Sequence, residues 1–390
     1  MLAAALVLAA DFAAFHFQAT VATQAHPAFD APYSGKNSLQ PAAESATSVV
    51  MDLSAELSPW PGAQITIAPE LAGGRGLSST LGVAAFPSGE VYRVGNPEPS
   101  VILARLSVKQ SLGPVTISAG KLAVTDFFDS VSISNDPHTR FMSWGLWASA
   151  AYDYPADVRG YTVGLAAEVT QGSWSARAGA FLEPRVANGA KLEWDVRRAR
   201  GLAAEVERRF SCGAAKLLAF LNTAQMGSYA RAIAAQADVV TTRADGRTKA
   251  GLAASASCEL GGGLGAFARG SFNDGQNETW AFTEIDRSLA LGAVQSGARW
   301  GRDNDEAGAA LVVSGLSAAH RAYLASGHYG FLIGDGALRY GAEILGELYY
   351  RAALTREISL GVNYQPVLNP AFNRDRGPVH IFTARAHVAF

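Results

Sequence analysis

No run of about 18 uninterrupted apolar residues occurs in the 390-residue sequence, so a helix long enough to cross a bilayer cannot be drawn. Charge is scarce too: 17% of residues are Asp, Glu, Lys or Arg, and 32 basic against 34 acidic side chains leave a net charge of -2. Such a balance carries no electrostatic footprint for nucleic acid. Cysteine is limited to Cys212 and Cys258. The seven histidines, at 16, 26, 138, 320, 328, 380 and 387, show no metal-ligand spacing such as HExxH, and none stands beside a serine in a nucleophile motif. No catalytic residue, metal or cofactor is therefore assigned. The Gly-rich SGHYGFLIGDGALRYG (326 to 341) lacks the GxxxxGK spacing of a phosphate loop and reads as an outer loop.

What is present is apolar surface in short alternating pieces. In 48 to 57, Val49, Met51, Leu53, Ala55 and Leu57 share one face and Ser48, Asp52, Ser54 and Glu56 the other. In 101 to 112, Ile102, Ala104, Leu106, Val108 and Leu112 oppose Arg105, Ser107, Lys109 and Ser111. In 160 to 170, Tyr161, Val163, Leu165, Ala167 and Val169 oppose Thr162, Glu168 and Thr170. A single such strand also fits a soluble sandwich, and the connections decide. Turns such as SPWPG, LGP, QGS, FSCGA and LGGG alternate with long loops near 25 to 45, 71 to 100, 126 to 159, 183 to 199, 225 to 247, 274 to 287, 316 to 338 and 366 to 378. Short turns at one rim and long loops at the other predict an all-β, transmembrane antiparallel barrel of about 16 strands. The count stays even only if SWGLWASAAYDY (143 to 154) lies inside a loop.

An even count puts both termini at one rim, so the last strand must pair with the first to remove an open edge. Phe382, Ala384, Ala386, Val388 and Phe390 then form a lipid-facing row opposite Thr383, Arg385 and His387. Phe390 closes that row and is the expected contact for the barrel-assembly machinery, with outer-membrane lipid and lipopolysaccharide as surroundings. MLAAALVLAA is like the core of a secretory signal without its basic flank, which divides the chain into a signal-peptide remnant (1 to 13) and one barrel domain (14 to 390). The alternative is that it extends the first strand.

Several blocks go further: HFQATVATQAHPAFDAPYSGKNSL (16 to 39), DPHTRFMSW (136 to 144), YDYPADVRGYTVG (152 to 164), ETWAFTEIDRSLALG (278 to 292), HRAYLASGHYGFLIGDGALRYGAEILGELYY (320 to 350) and NPAFNRDRGPV (369 to 379). In kind and order they resemble the blocks of the carbohydrate-selective porin family, the OprB type. The resemblance implies sixteen antiparallel strands in the outer membrane of a Gram-negative bacterium and passive, carbohydrate-selective diffusion of mono- and oligosaccharides. Gly346, in GELYY, departs from the larger residue expected there.

In such a pore the loop at 126 to 159 is the candidate to fold inward, because it gathers carboxylates, guanidinium groups and aromatic rings, which complement sugar hydroxyls and C–H faces. Trp144 and Trp147 are the candidate stacking platforms, with Asp129, Arg140 and Asp153 bonding hydroxyls. The plainer alternative has both Trp residues anchoring the loop to the wall. Arg105, Lys109, Arg177 and Arg385 fall on polar rows with Asp52, Glu56 and Glu168, where they line the lumen or neutralise one another in wall ion pairs. Cys212 and Cys258 fall at the short-turn rim of neighbouring strands; a disulfide and two buried thiols both stay open. The rival functions are a general porin or polysaccharide-export barrel, an outer-membrane barrel enzyme, and a soluble sugar-binding lectin.

Overall fold

The computed structural model describes residues 12–89 and 98–390, so all but the last two residues of the expected signal-peptide remnant lie outside the described residues. The strands are β1 (Ala13–His26), β2 (Glu44–Leu57), β3 (Ala63–Gly74), β4 (Ser100–Leu112), β5 (Val115–Leu122), β6 (Thr162–Gln171), β7 (Trp174–Phe181), β8 (Arg200–Arg209), β9 (Gly213–Ala224), β10 (Arg247–Gly261), β11 (Leu264–Asn273), β12 (Arg287–Ser296), β13 (Glu306–Gly315), β14 (Glu343–Ala353), β15 (Ile358–Leu368) and β16 (Val379–Ala389). Each pairs antiparallel with its chain neighbours, and β1 pairs with β16 from Gln18–Ala389 to Ala25–Phe382, closing the barrel. Phe17 and Phe390 exchange backbone hydrogen bonds at 2.8 and 3.0 Å and their rings lie 5.2 Å apart. The C-terminal residue is therefore fixed by strand pairing rather than frayed. Residues 143–154 lie in the β5–β6 loop and contain a single helical turn, Trp144–Trp147, which keeps the strand count even.

The alternation has its expected outcome on most strands. Met51 and Leu53 of β2 are exposed on the lipid side, whereas Asp52, Ser54 and Glu56 line the lumen. Two places differ: Tyr161, expected on the outward row of 160 to 170, is buried on the lumen side with its hydroxyl on Glu70, and the start of β4 is reversed. Ala68 pairs with Arg105, yet the next residue, Pro69, pairs with Leu103, so β4 carries an extra residue there. Proline has no N–H to continue the ladder, and the bulge reverses the faces that alternation predicts for the start of β4. Val101 and Leu103 take the lipid side at 66% and 41% exposure, while Ala104 is fully buried against Ala123 and Tyr161, with Ile102 packed on the same cluster.

The lumen is not an open tube. The long loops bring Leu39, Val83, Phe86, Phe128, Phe141 and Leu146 inside, where they pack on wall residues such as Phe220, Phe267, Val312, Tyr349 and Ile381. This explains why many inward positions of β9 to β16 are apolar despite facing the lumen. Large inward rings are accommodated by glycine on the adjoining strand: Phe220 lies opposite Gly251 and Tyr349 opposite Gly308, each ring occupying the space a Cβ would need. Gly346 faces lipid, where an added Cβ would press on the Pro366 ring at 3.3 Å. At the short-turn rim Cys212 and Cys258 are joined by a disulfide, with their Cα atoms 4.8 Å apart.

Candidate functional site

The β5–β6 loop is held inside the barrel by polar side chains on the surrounding wall. Glu347 of β14 accepts the backbone N–H groups of Met142 (2.8 Å) and Ser143 (2.9 Å). Two inward positions away, Glu343 accepts those of Ala84, Ala85 and Ala371, each at 2.8 Å. The two loop segments also bind each other, Gly89 N to Met142 O at 2.8 Å and Trp144 N to Phe86 O at 3.2 Å, so they dock as a ribbon along β14. Arg269 of β11 and Glu205 of β8 grip the loop at Asp129. Arg385 of β16 donates to the carbonyls of Pro137, Thr139 and Arg140. Buried backbone amides need acceptors, and lone wall carboxylates supply them without competing secondary structure.

Pinned on the β14 side, the loop leaves space against β1 to β5. A cavity of about 290 Å³ lies there, with the rings of Phe86, Trp144, Trp147, Tyr154 and Phe282 on its border together with Glu70, Arg105, Asp126, His138, Arg159 and Tyr161. Trp144 stacks on Tyr154 (5.6 Å) and Phe282 (5.0 Å) and meets Trp147 edge-on at 4.6 Å. Glu70 accepts from both Arg159 and the Tyr161 hydroxyl, and Arg105 makes a two-pronged bond to Asp126 at 2.7 and 2.8 Å. Gln18, Asp52, Arg105 and Asp126 also border a second cavity of about 700 Å³ that opens at the short-turn rim between His16, Glu56, Lys109 and Phe390. The two cavities form a polar path down one side of the barrel.

The expected site residues divide clearly. Trp144 and Trp147 border the narrow cavity, although Trp144, at 4% exposure, belongs equally to the packed ring cluster that anchors the loop. Expected as sugar ligands, Asp129, Arg140 and Asp153 are instead engaged by protein and do not border the cavity. Asp129 holds Arg269 and the Ser149 amide and hydroxyl. Arg140 forks onto Glu306 and also donates to the carbonyls of Ser132 and Ile133. Asp153 accepts the amides of Trp280 and Ala281, with Lys249 at 3.6 Å. These groups shape the constriction from behind. Of the expected wall residues, Arg105, Lys109, Asp52 and Glu56 do border the path. Asp52 accepts from Gln18 and Glu56 from Gln64. Arg105 pairs with loop residue Asp126, a partner that alternation alone does not identify. Arg177 binds Glu168 and also Glu205 and Glu207, making a wall ion-pair network. The residues that sequence reasoning missed are Glu70, Tyr161, His138 and Phe282 on the cavity and Glu343, Glu347 and Arg269 behind it.

One buried acid in the extracellular loops predicts a pH effect. Glu183, just after β7, is fully buried, and neither carboxylate oxygen has a hydrogen-bond partner. Burial pushes its pKa well above the usual carboxylate range, and the neighbouring Asp153 charge adds to the rise. A raised carboxyl favours the fold below the unfolded value, about 4.3, and that contribution is lost as pH rises toward the folded value. Glu183→Gln removes this dependence. Relative to wild type, the variant's unfolding temperature is expected to rise progressively from pH 4 to pH 8, read by heat-modifiable gel migration; a pH-independent difference refutes this role.

A family model described as carbohydrate-selective porin, OprB family, matches residues 36–390. The fold is similar to Pseudomonas putida OprB in its high-pH structure, with a TM-score of 0.79, 16% identity, and coverage of 99% of this chain and 96% of that one. The low-pH structure of the same protein aligns with a TM-score of 0.57 at 13% identity, covering 99% and 95%. The outer membrane channel DcaP of Acinetobacter baumannii gives 0.58 at 9% identity, covering 97% of each chain. Among curated proteins no match is found.

Proposed function

The chain belongs to the carbohydrate-selective porins of the OprB family, channels of the outer membrane, and from that premise we propose that sugars pass through the narrow cavity beside the inward loop, bound weakly and one at a time. The observation that carries this is the composition of that cavity, whose lining combines a cluster of rings with Glu70, Arg105, Asp126, Arg159 and Tyr161. A pyranose offers an apolar C–H face to rings and hydroxyls to carboxylates and guanidinium groups, so both kinds of group are used together. Its 290 Å³ falls near the lower end of the ~300–1,000 Å³ range of small-molecule sites, which suits one sugar ring rather than a polymer. The Arg105–Asp126 and Arg159–Glu70 pairs offset each other's charge, so a neutral permeant meets no strong net field.

Flux sets the affinity. A site that held sugar tightly would block its own channel, so binding on the order of millimolar is expected. Single-channel recording should show brief current blocks by glucose at about ten times such a dissociation constant, and liposome swelling should be faster for mono- and disaccharides than for larger chains. Trp147→Ala is expected to weaken the block by about 2- to 10-fold through the loss of one stacking face. Absence of any sugar block in the wild-type channel would refute the reading. No reaction is assigned to the chain, and a hydrolase screen on the purified barrel is expected to be negative.

A further inference from the structure

The lipid-facing rows of the strands are nearly free of charge, and one exception stands out. In the half of the barrel next to the short turns, the outward rows of the described strands carry a single charged side chain, Arg208, near the end of β8. The lumen-facing neighbours on either side, Glu207 and Arg209, bond to each other inside. Arg208 points the other way. It lies directly across the strand ladder from Trp174, and its guanidinium is 5.2 Å from the Trp174 ring centre and 5.4 Å from that of Phe210. Both rings are 49% exposed. Among the described residues no carboxylate is within ion-pair distance of Arg208, whereas Arg105, Arg140, Arg159, Arg177 and Arg269 each have one.

Aromatic residues at a barrel rim sit at headgroup depth, and here two of them hold an unneutralised cation at that depth. The short-turn rim faces the periplasmic leaflet, so the groups at the same level are glycerophospholipid phosphates. We propose that Arg208, Trp174 and Phe210 form a binding site for the phosphate of an anionic glycerophospholipid in that leaflet. The planar guanidinium presents paired N–H donors that match phosphate oxygens, and the flanking rings restrict its rotamers before the lipid arrives. A zwitterionic lipid gains less. Its amine finds no carboxylate beside Arg208, and both nearby ring faces are already taken by the guanidinium.

The test is native mass spectrometry on the folded barrel in detergent, titrated separately with phosphatidylglycerol and with phosphatidylcholine of the same acyl chains. The wild type should prefer phosphatidylglycerol about fivefold, the scale of one cation near an anionic surface. Arg208→Gln should bring the ratio close to one, and Arg208→Lys should keep part of it, retaining charge but not the planar fork. Heat-modifiable migration confirms that each variant is folded, and sugar block should be unchanged in all of them, so the outcome is separable from that of the transport reading. Equal retention of the two lipids by the wild type, or an undiminished preference in Arg208→Gln, would mean that Arg208 only extends to interfacial water, and would overturn the proposal.

Discussion

Replacing Asp129 with alanine is expected to be the most destabilising single change in the inward loop. Its carboxylate holds the Arg269 guanidinium at 2.9 Å, the Ser149 amide at 2.5 Å and the Ser149 hydroxyl at 2.6 Å, with the side chains of Asp129 and Arg269 only 3% and 1% exposed. Alanine leaves a guanidinium buried without its counter-charge. Breaking one side of a buried pair costs about 3–5 kcal/mol, more than the pair itself contributes over an apolar substitute. Asp129 also has φ of +59°, a conformation that Asp tolerates better than Ala, so the backbone adds to the loss. The expected result is a clearly lower unfolding temperature on heat-modifiable gels together with a larger, noisier single-channel current, because Ser149 and Asp129 lie on either side of the Trp144–Trp147 turn. The double variant Asp129→Ala, Arg269→Met should recover much of the stability by removing the stranded charge. If Asp129→Ala unfolds at the wild-type temperature, this pair does not hold the loop.

That behaviour also marks where the sequence is legible and where it is not. Strand alternation in residues 48–57 correctly separates the lipid row from Asp52 and Glu56, because a sheet between lipid and water has one unambiguous polarity per position. The pairing of β1 with β16 follows from the same even count. Beyond the sheet this rule no longer applies. Asp129, Arg140 and Asp153 lie in a loop without periodicity, and their partners Arg269, Glu306 and Trp280 are 140, 166 and 127 residues away in sequence, so nothing local shows that they point away from the permeation path. The reversed faces at the start of β4 follow from one proline on the adjoining strand, a clue visible in the sequence but decisive only once register is known. A usable signal did exist for the loop anchors. In LGELYY, Glu347 shares the inward row with Leu345 and Tyr349, both apolar and buried, and a carboxylate on such a row requires donors from whatever packs against it.

Glu347 is the anchor whose removal should most alter permeation. Its two oxygens accept the Met142 and Ser143 amides and are braced by Asn363 (2.6 Å) and Gln365 (2.9 Å) from β15. Trp144 follows Ser143 directly, so the position of the ring cluster is set by this bracket. Glu347→Ala leaves two backbone donors without acceptors in a buried place, at about 1–3 kcal/mol each, a cost the segment can escape only by moving toward water. Movement of Met142 and Ser143 displaces Trp144 and enlarges the cavity. Single-channel conductance should therefore rise, and sugar block should fall by more than in Trp147→Ala, since the whole aromatic border shifts rather than one ring. Glu347→Gln separates charge from geometry. Its single carbonyl oxygen can accept from the loop, but its amide group then faces donors from Asn363 or Gln365, so conductance and block should fall between wild type and Glu347→Ala. A folded Glu347→Ala barrel with unchanged conductance and unchanged sugar block would show that the Gly89–Met142 and Phe86–Trp144 ribbon bonds alone position the constriction, and the wall carboxylate would lose its role.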